Sequence, residues 1–174
     1  MDFTEEMKDK VLRGEQIDRE EALRLSEEPS DRLREAAEEI RRKVCGDGFD
    51  LCTIVNAKCG RCSEDCKYCA QSAHYRTACD QSYPLLSAEE LLDGARRSAR
   101  QGVLRYSIVT SGRRLSDAEV EQVCGSIRKI REETSIEVCV SLGLLDETQF
   151  HRIREAGASR VHCNLETSAR YFPS

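Results

Sequence analysis

From residue 50 to the end, short β-rich runs alternate with amphipathic helical segments, and this alternation restricts the fold more than any other feature. The predicted strands cover residues 51–55, 104–109, 136–142 and 161–165. Capping-box pairs open the intervening helices at Ser87 and Ser116, and Asp146 opens a third. Parallel strands joined by right-handed crossovers are expected. The pattern predicts an α/β fold of about four βα units, a partial TIM-type barrel, because 174 residues are fewer than the roughly 200 of a closed barrel.

Residues 1–46 are predicted to be helical, because apolar residues recur there at helical spacing in two stripes. The stripes consist of Phe3, Met7 and Val11, and of Leu33, Ala36, Ala37, Ile40 and Val44. Asp18 and Glu21 have the spacing of a capping box that starts a second helix, and Pro29 separates it from a third. We therefore expect an N-terminal helical extension over residues 1–46 and the (βα) unit over residues 47–174.

Period-two alternation along the strands predicts which side chains face away from the helices. Polar or thiol side chains take this inner face in three strands, and apolar ones face the helices. The inner set is Arg105, Ser107, Glu137, Cys139, Ser141, His162, Asn164 and Glu166. Both faces of an ordinary parallel sheet are apolar, so a polar inner face indicates a cavity for a polar ligand.

Three cysteines, Cys62, Cys66 and Cys69, follow the first predicted strand at C-x3-C-x2-C spacing. Thiolates so close together can bind one soft metal centre, such as an iron–sulfur cluster or zinc. A structural zinc site needs a fourth protein ligand, for which His74 is the nearest candidate. A cubane cluster held by three cysteines instead leaves one iron open, which makes the site reactive. The five-residue step from Cys69 to His74 is unusual for zinc, so the cluster is favoured.

Composition excludes several classes of protein. The net charge of −5 with 34% charged residues does not indicate a nucleic-acid partner. No apolar run approaches the roughly 20 residues of a membrane span, and the acidic start is unlike a signal peptide. We expect a cytoplasmic protein without a membrane partner. In that reducing compartment the ten cysteines are metal ligands, reactive thiols or small core residues.

The run Ser63-Glu-Asp-Cys-Lys-Tyr-Cys-Ala-Gln-Ser-Ala-His-Tyr75, with Tyr68 directly before the last cysteine, resembles the biotin synthase family of radical S-adenosylmethionine enzymes. Further matches to that family are Tyr106-Ser-Ile-Val-Thr-Ser-Gly112, Cys139-Val-Ser-Leu-Gly-Leu-Leu145 and His162-Cys-Asn-Leu-Glu-Thr-Ser168. The resemblance runs from about residue 30 onward and covers the first half of the family's barrel. We therefore expect the chain to be a truncated or split product.

The resemblance implies a [4Fe-4S] cluster on Cys62, Cys66 and Cys69, with S-adenosylmethionine on its open iron. Tyr68 would lie beside the adenine, and Asn164 and Glu166 would contact the ribose hydroxyls. The implied reaction is radical insertion of sulfur into dethiobiotin. Its implied partners are dethiobiotin and an electron donor such as flavodoxin or ferredoxin, and a homodimer is allowed.

A second iron–sulfur cluster, [2Fe-2S] or other, donates the sulfur in this family, and the resemblance makes Cys139 one of its ligands. Ser107 stands where many members have another cysteine, and a hydroxyl is a poor iron ligand beside a thiolate. Three alternatives stay open: a second cluster of different type or ligation, a related radical enzyme of the hydrogenase maturase or methylornithine synthase type, and an inactive cluster-binding half-barrel.

The remaining cysteines are predicted to be structural. We expect Cys45, Cys52 and Cys124 to be small buried residues and Cys163 to pack against the helices. Cys59 and Cys79 flank the cysteine loop and are expected to be spectators.

Overall fold

The computed structural model describes residues 2–76, 81–165 and 167–171. The chain divides into two compact units, Met1–Phe49 and Asp50–Ser174. No helix in the described part of the chain is long and apolar enough to span a membrane.

The first unit is helical, as predicted. It consists of α1 (Phe3–Leu12), α2 (Arg19–Leu25) and α3 (Ser30–Cys45). Asp18 and Glu21 form the predicted capping box at the start of α2, and Pro29 lies at the N-cap of α3. Lys8 of α1 pairs with Glu39 of α3 at 2.7 Å. Most of this unit's charged side chains are exposed, as a solvated helical surface requires.

The second unit is a four-stranded parallel sheet with helices between the strands. Its elements are β1 (Cys52–Lys58), α4 (Ala88–Arg100), β2 (Arg105–Thr110), α5 (Asp117–Glu133), β3 (Glu137–Ser141), α6 (Glu147–Ala156) and β4 (Ala158–Val161). The strands lie in chain order β1-β2-β3-β4, and all three pairings are parallel. The predicted capping boxes open α4 and α5, and one at Asp146 opens α6. The α/β half-barrel prediction is therefore confirmed.

The hydrophobic core lies between the sheet and α4, α5 and α6. Strand residues of the predicted outward set contribute to it: Tyr106, Ile108, Ile136, Val138, Val140 and Leu142. Helix residues that meet them include Leu91, Leu92, Ala95, Val120, Val123, Ile127, Ile130 and Ile153. Burying so many aliphatic side chains on one face supplies the main driving force for folding. On β2 and β3 it leaves polar or thiol side chains on the opposite face of the sheet.

The fourth strand lies earlier in the chain than predicted. It covers Ala158–Val161 rather than residues 161–165, and Val161 is its last residue. Val140 of β3 pairs with Val161, and the amide of His162 donates to the Val140 carbonyl at 2.8 Å. Because β3 itself ends at Ser141, residues beyond this point have no strand partner on β3. The prediction that Leu165 faces the helices is wrong, since its side chain is 70% exposed.

Three of the cysteine predictions are also wrong. Cys45, Cys52 and Cys163 are exposed, whereas Cys124 is buried as predicted. Cys45 is the last residue of α3 and Cys52 the first residue of the edge strand β1, where neither has neighbours on every side. Cys163 lies beyond the end of β4.

Candidate cofactor site

The cysteine loop begins at the carboxyl end of β1, the edge of the sheet where active sites of α/β barrels lie. Two neighbouring segments hold its start. Cys59 exchanges backbone hydrogen bonds with Tyr83 at 3.1 and 3.2 Å. On the β2 side, the amide of Ser111 donates to the carbonyl of Lys58 at 2.9 Å. The loop therefore leaves the sheet in a defined direction.

Backbone pairing folds the loop back on itself around Cys62. The amide of Cys62 donates to the Gln71 carbonyl at 2.9 Å, and its carbonyl accepts from the amide of Ala73 at 2.8 Å. A tight turn follows between Cys66 and Cys69, whose amide donates to the Cys66 carbonyl at 2.9 Å. All three cysteines thus lie on one compact hydrogen-bonded loop.

Residues after the third cysteine close the loop with side-chain hydrogen bonds. The hydroxyl of Ser72 donates to the Glu64 carbonyl at 2.7 Å and accepts from the amide of His74 at 3.2 Å. The Nε2 atom of His74 lies 3.0 Å from the carbonyl oxygen of Ser63. His74 therefore contacts the loop backbone between the first two cysteines.

Asp65 links the middle of the loop to its end. It accepts hydrogen bonds from the Tyr75 hydroxyl and from the Lys67 ammonium, the latter at 2.8 Å. The Lys67 hydrogen bond, followed by that of Tyr75, lowers the pKa of Asp65, and the same carboxylate raises the pKa of Lys67. These residues flank Cys66 on both sides, so the network restrains the central cysteine.

The donor set suits a thiolate-ligated cofactor, although the thiols are not gathered into a ligating geometry. Cys62, Cys66 and Cys69 are each half-buried. Across residues 2–76, 81–165 and 167–171, no group of three or more His, Cys, Asp or Glu side chains is arranged to hold a metal ion. Thiolates are the ligands that iron–sulfur clusters use. The loop therefore fits a cluster by its ligand chemistry and its sequence spacing.

The other residues predicted to contact the cofactor are Tyr68, Asn164 and Glu166. Tyr68 lies on the cysteine loop with its side chain 67% exposed. Asn164 is exposed and lies beyond the end of β4, so strand alternation no longer determines its direction. Glu166, like Cys79, lies outside the described residues. The proposed roles of these residues therefore stay predictions.

On β2 and β3, polar or thiol side chains take the sheet face opposite the helices, as predicted. Arg105 and Ser107 are half-buried there, while Cys139 is 3% exposed. Ser107 of β2 is the register partner of Cys139, which in turn pairs with Arg160 of β4. The carboxylate of Asp50 binds Arg105 and raises its pKa. Cationic and thiol groups thus lie side by side on this face.

Sequence reasoning missed two residues that hold the loop. The Ser111 hydroxyl donates to the Gly60 carbonyl at 3.2 Å, and the Gln71 side chain accepts from the Gly60 amide at 3.1 Å. Local spacing carries no signal for either contact, because Ser111 is 51 residues and Gln71 is 11 residues from Gly60 in sequence. Gln71 and Ser111 both belong to runs that resemble the family, and those runs carry no indication of these contacts.

Comparison with known proteins places this site in a family. The model of the Radical SAM superfamily matches residues 58–172, which include the cysteine loop and β2 to β4. "Biotin synthase 2" of Corynebacterium diphtheriae is 51% identical over all 174 residues of the chain and 53% of its own length. "Biotin synthase" of Akkermansia muciniphila is 52% identical over the whole chain and 54% of its own length. The chain thus spans about half the length of these curated relatives.

A solved structure supports the fold independently. The crystal structure of HydG, a maturase of the [FeFe]-hydrogenase, superposes with a TM-score of 0.70 over 97% of the chain and 38% of HydG. At 19% identity, this likeness concerns the fold alone. The family match extends over more than half of the chain and contains the three-cysteine loop at the carboxyl end of β1. The chain therefore belongs to the radical SAM superfamily.

Proposed function

We propose that this chain forms the cluster-binding part of a biotin synthase, which inserts sulfur into dethiobiotin by radical chemistry. The observation that carries the proposal is the hydrogen-bonded loop of Cys62, Cys66 and Cys69 at the carboxyl end of β1. Membership of the superfamily implies a [4Fe-4S] cluster and S-adenosylmethionine. Relatives named biotin synthase at 51% and 52% identity support the substrate class.

In this proposal the three cysteine thiolates hold the [4Fe-4S] cluster. When bound, that cluster supplies the electron that cleaves the sulfonium of S-adenosylmethionine. Tyr68 would contact the adenine, and Asn164 and Glu166 would bind the ribose hydroxyls. The chain's own part is to hold the loop in place, orient the nucleoside and exclude water.

The polar sheet face is the proposed location of sulfur transfer. Cys139 is the proposed ligand of a second iron–sulfur cluster, and its register partner Ser107 indicates ligation different from that of many family members. Dethiobiotin would bind beside this face, and a flavodoxin or ferredoxin would supply electrons. We also propose a cytoplasmic location and assembly into a homodimer.

The alternative of a related radical enzyme, of the hydrogenase maturase or methylornithine synthase type, has less support. HydG shares the fold at 19% identity, whereas the curated relatives named biotin synthase reach 51% and 52%. No residue contact in the described chain favours a maturase over a sulfur-inserting enzyme. The half-barrel alternative, in which the chain binds a cluster without turnover, is decided by the experiment below.

The proposal is tested by anaerobic reconstitution of the chain with iron and sulfide. We expect the visible absorbance of thiolate-ligated iron, and 5′-deoxyadenosine on reduction with S-adenosylmethionine. Separate alanine variants of Cys62, Cys66 and Cys69 should lose both signals. Cys45→Ala, which removes an exposed thiol at the end of α3, is the matched control and should keep them.

Substrate identity is tested in a chimera that continues this chain with the second half of the Corynebacterium diphtheriae relative. Biotin formed from dethiobiotin by the chimera would support the proposed reaction. Loading of the cluster without 5′-deoxyadenosine, in the chain and the chimera alike, would instead show a binding half-barrel.

A further inference from the structure

Hydrogen bonds from other segments hold the start of the cysteine loop, residues 58–62, at every second residue. Lys58, Gly60 and Cys62 each use backbone groups in contacts with Ser111 or Gln71. We infer that Ser111 and Gln71 are positioning residues that set the place of Cys62, and through it the geometry of the bound cofactor. This inference rests on the proposed function, because it assumes that Cys62 is a ligand.

Ser111 fastens the loop to the end of β2. Its amide donates to the Lys58 carbonyl at 2.9 Å, and its hydroxyl donates to the Gly60 carbonyl at 3.2 Å. The residue is only 7% exposed, so water competes poorly for these hydrogen bonds. One residue therefore holds two backbone carbonyls shortly before the first cysteine, that of Lys58 through its amide and that of Gly60 through its hydroxyl.

Gln71 fastens the same stretch from the other side. Its Oε1 atom accepts from the Gly60 amide at 3.1 Å, and its backbone carbonyl accepts from the Cys62 amide at 2.9 Å. Gly60 is thus held at its carbonyl by Ser111 and at its amide by Gln71. The position of Cys62 follows from that of Gly60, because one residue separates them.

That intervening residue, Arg61, supports the argument independently. It has φ +48°, and among the described residues it is the only one other than glycine with a positive φ. A positive φ is strained in a residue that has a side chain, and it persists only where several surrounding contacts hold the backbone there. Gly60 and Cys62, pinned on either side, supply that constraint. A non-glycine residue held there indicates that the direction of the backbone into Cys62 is fixed by the fold.

A positioning role predicts that loss of either contact moves Cys62 without removing any ligand. A thiolate ligand held in one place fixes cluster orientation and hydrogen bonding around its sulfur, which tune the properties of the cluster. Ser111→Ala and Gln71→Met each remove one contact while keeping the side chain close to its original size. Ser111→Thr and Gln71→Glu retain the hydroxyl and the acceptor oxygen, respectively.

The first readout is hydrogen exchange in the metal-free chain, at the amides of residues 58–62. We expect roughly three- to tenfold faster exchange in Ser111→Ala and Gln71→Met, the effect of losing one hydrogen bond. Ser111→Thr and Gln71→Glu should stay close to wild type. Ser98→Ala is the matched control, because it removes a hydroxyl-to-carbonyl bond to Gly94 within α4.

The second readout is the electron paramagnetic resonance spectrum of the reduced, reconstituted chain, with and without S-adenosylmethionine. Ser111→Ala should shift the signal, and Ser111→Thr should restore it. Faster exchange with an unchanged spectrum would make Ser111 a structural contact and overturn the inference, as would unchanged exchange. If wild type takes up no cluster, the proposed function fails, and the exchange rates alone decide whether the two residues hold the loop.

Discussion

Ser107 and Cys139 are register partners on the adjacent parallel strands β2 and β3, so their side chains leave the sheet on the same face. This face is the one opposite the helices. A hydroxyl thus stands directly beside a thiol that is only 3% exposed. The pair marks the proposed location of the second cluster on the sheet. Substitutions at either residue can therefore test which side chains would bind that cluster.

Cys139→Ala is expected to separate the two halves of the proposed reaction. Formation of 5′-deoxyadenosine depends on the cysteine loop and should remain close to wild type, whereas biotin formation by the chimera should fall at least about tenfold. Both products are measured by chromatography in one assay. Cys124→Ala, at the buried thiol of α5, should reduce neither rate. Equal loss of both products in Cys139→Ala would contradict the assignment.

Ser107→Cys tests the same pair by adding a thiol. Soft thiolate ligands bind iron–sulfur clusters better than hydroxyls do. The variant should therefore raise iron and sulfide content per chain after reconstitution, and adding Cys139→Ala should cancel the increase. An unchanged iron content in Ser107→Cys would indicate that no cluster binds at this face.

Gly60→Ala should destabilise the start of the cysteine loop. Gly60 has φ +85°, and a Cβ atom there would lie 2.9 Å from the Cβ atom of Ser82. Gly102→Ala is the control, since Gly102 has φ +77° but no atom within 4 Å of an added Cβ. Both variants incur backbone strain of about 1 kcal/mol, and Gly60→Ala adds steric strain of about 1 kcal/mol or more.

Urea unfolding and iron content measure the difference between these glycine variants. We expect Gly60→Ala to be the less stable and to take up less iron, whereas Gly102→Ala should lose stability with normal iron content. If the two variants unfold alike and both load normally, then Ser82 does not constrain the loop.

Replacing a glycine inside a helix by alanine usually stabilises a protein, but Gly94→Ala should lower the free energy of unfolding. A Cβ atom on Gly94 would overlap the hydroxyl oxygen of Tyr106, and this buried hydroxyl has no hydrogen-bond partner in the described structure. We expect a loss of about 1–3 kcal/mol from overpacking. Gly125→Ala, where an added Cβ meets nothing within 4 Å, should gain about 0.5–1 kcal/mol.

Tyr106→Phe provides the complementary test of this packing. It removes the overlapping oxygen, so the double variant with Gly94→Ala should recover most of the lost free energy of unfolding. Thermal or urea unfolding of the wild type, Gly94→Ala, Tyr106→Phe and the double variant measures the four free energies of unfolding. Additive losses in the double variant would show that the hydroxyl is not the obstacle.

Glu119 should make stability depend on acid pH. Its carboxylate lies 2.6 Å from the Lys58 ammonium and completes the capping box of α5. Burial raises the pKa of Glu119, but the hydrogen bonds from Lys58 and Ser116 outweigh burial and bring it below its ordinary value of 4.5. A lowered folded-state pKa adds stability above the unfolded pKa, and this stability is lost as pH falls through the folded pKa.

Glu119→Gln removes that titration. The free-energy difference between wild type and variant should therefore be largest near neutral pH and shrink below about pH 4.5. Urea unfolding across this range measures it, and Glu132→Gln, an exposed residue at the other end of α5, is the control. A difference that stays constant with pH would assign the effect to lost packing.

Much of the fold could be predicted because its signals are local. Capping boxes at Ser87 and Ser116 fixed the starts of α4 and α5, since each pairs groups three residues apart. Alternation along β3 identified the core face, because Val138 and Val140 are fully buried. The cysteine spacing predicted the cofactor class for the same reason, as three ligands on one loop need no distant partner.

Tertiary structure decided what depends on distant residues. β4 ends at Val161 because its pairing with β3 ends there. Cys45 and Cys52 are exposed because one is the last residue of α3 and the other is the first residue of β1. Ser111 reaches Gly60 across 51 residues, and only the side-by-side packing of β1 and β2 makes that contact. The amino-acid sequence thus determined the elements and the donor set, while packing determined how the first cysteine is held, because Ser111 lies next to Gly60 only where β1 and β2 pair.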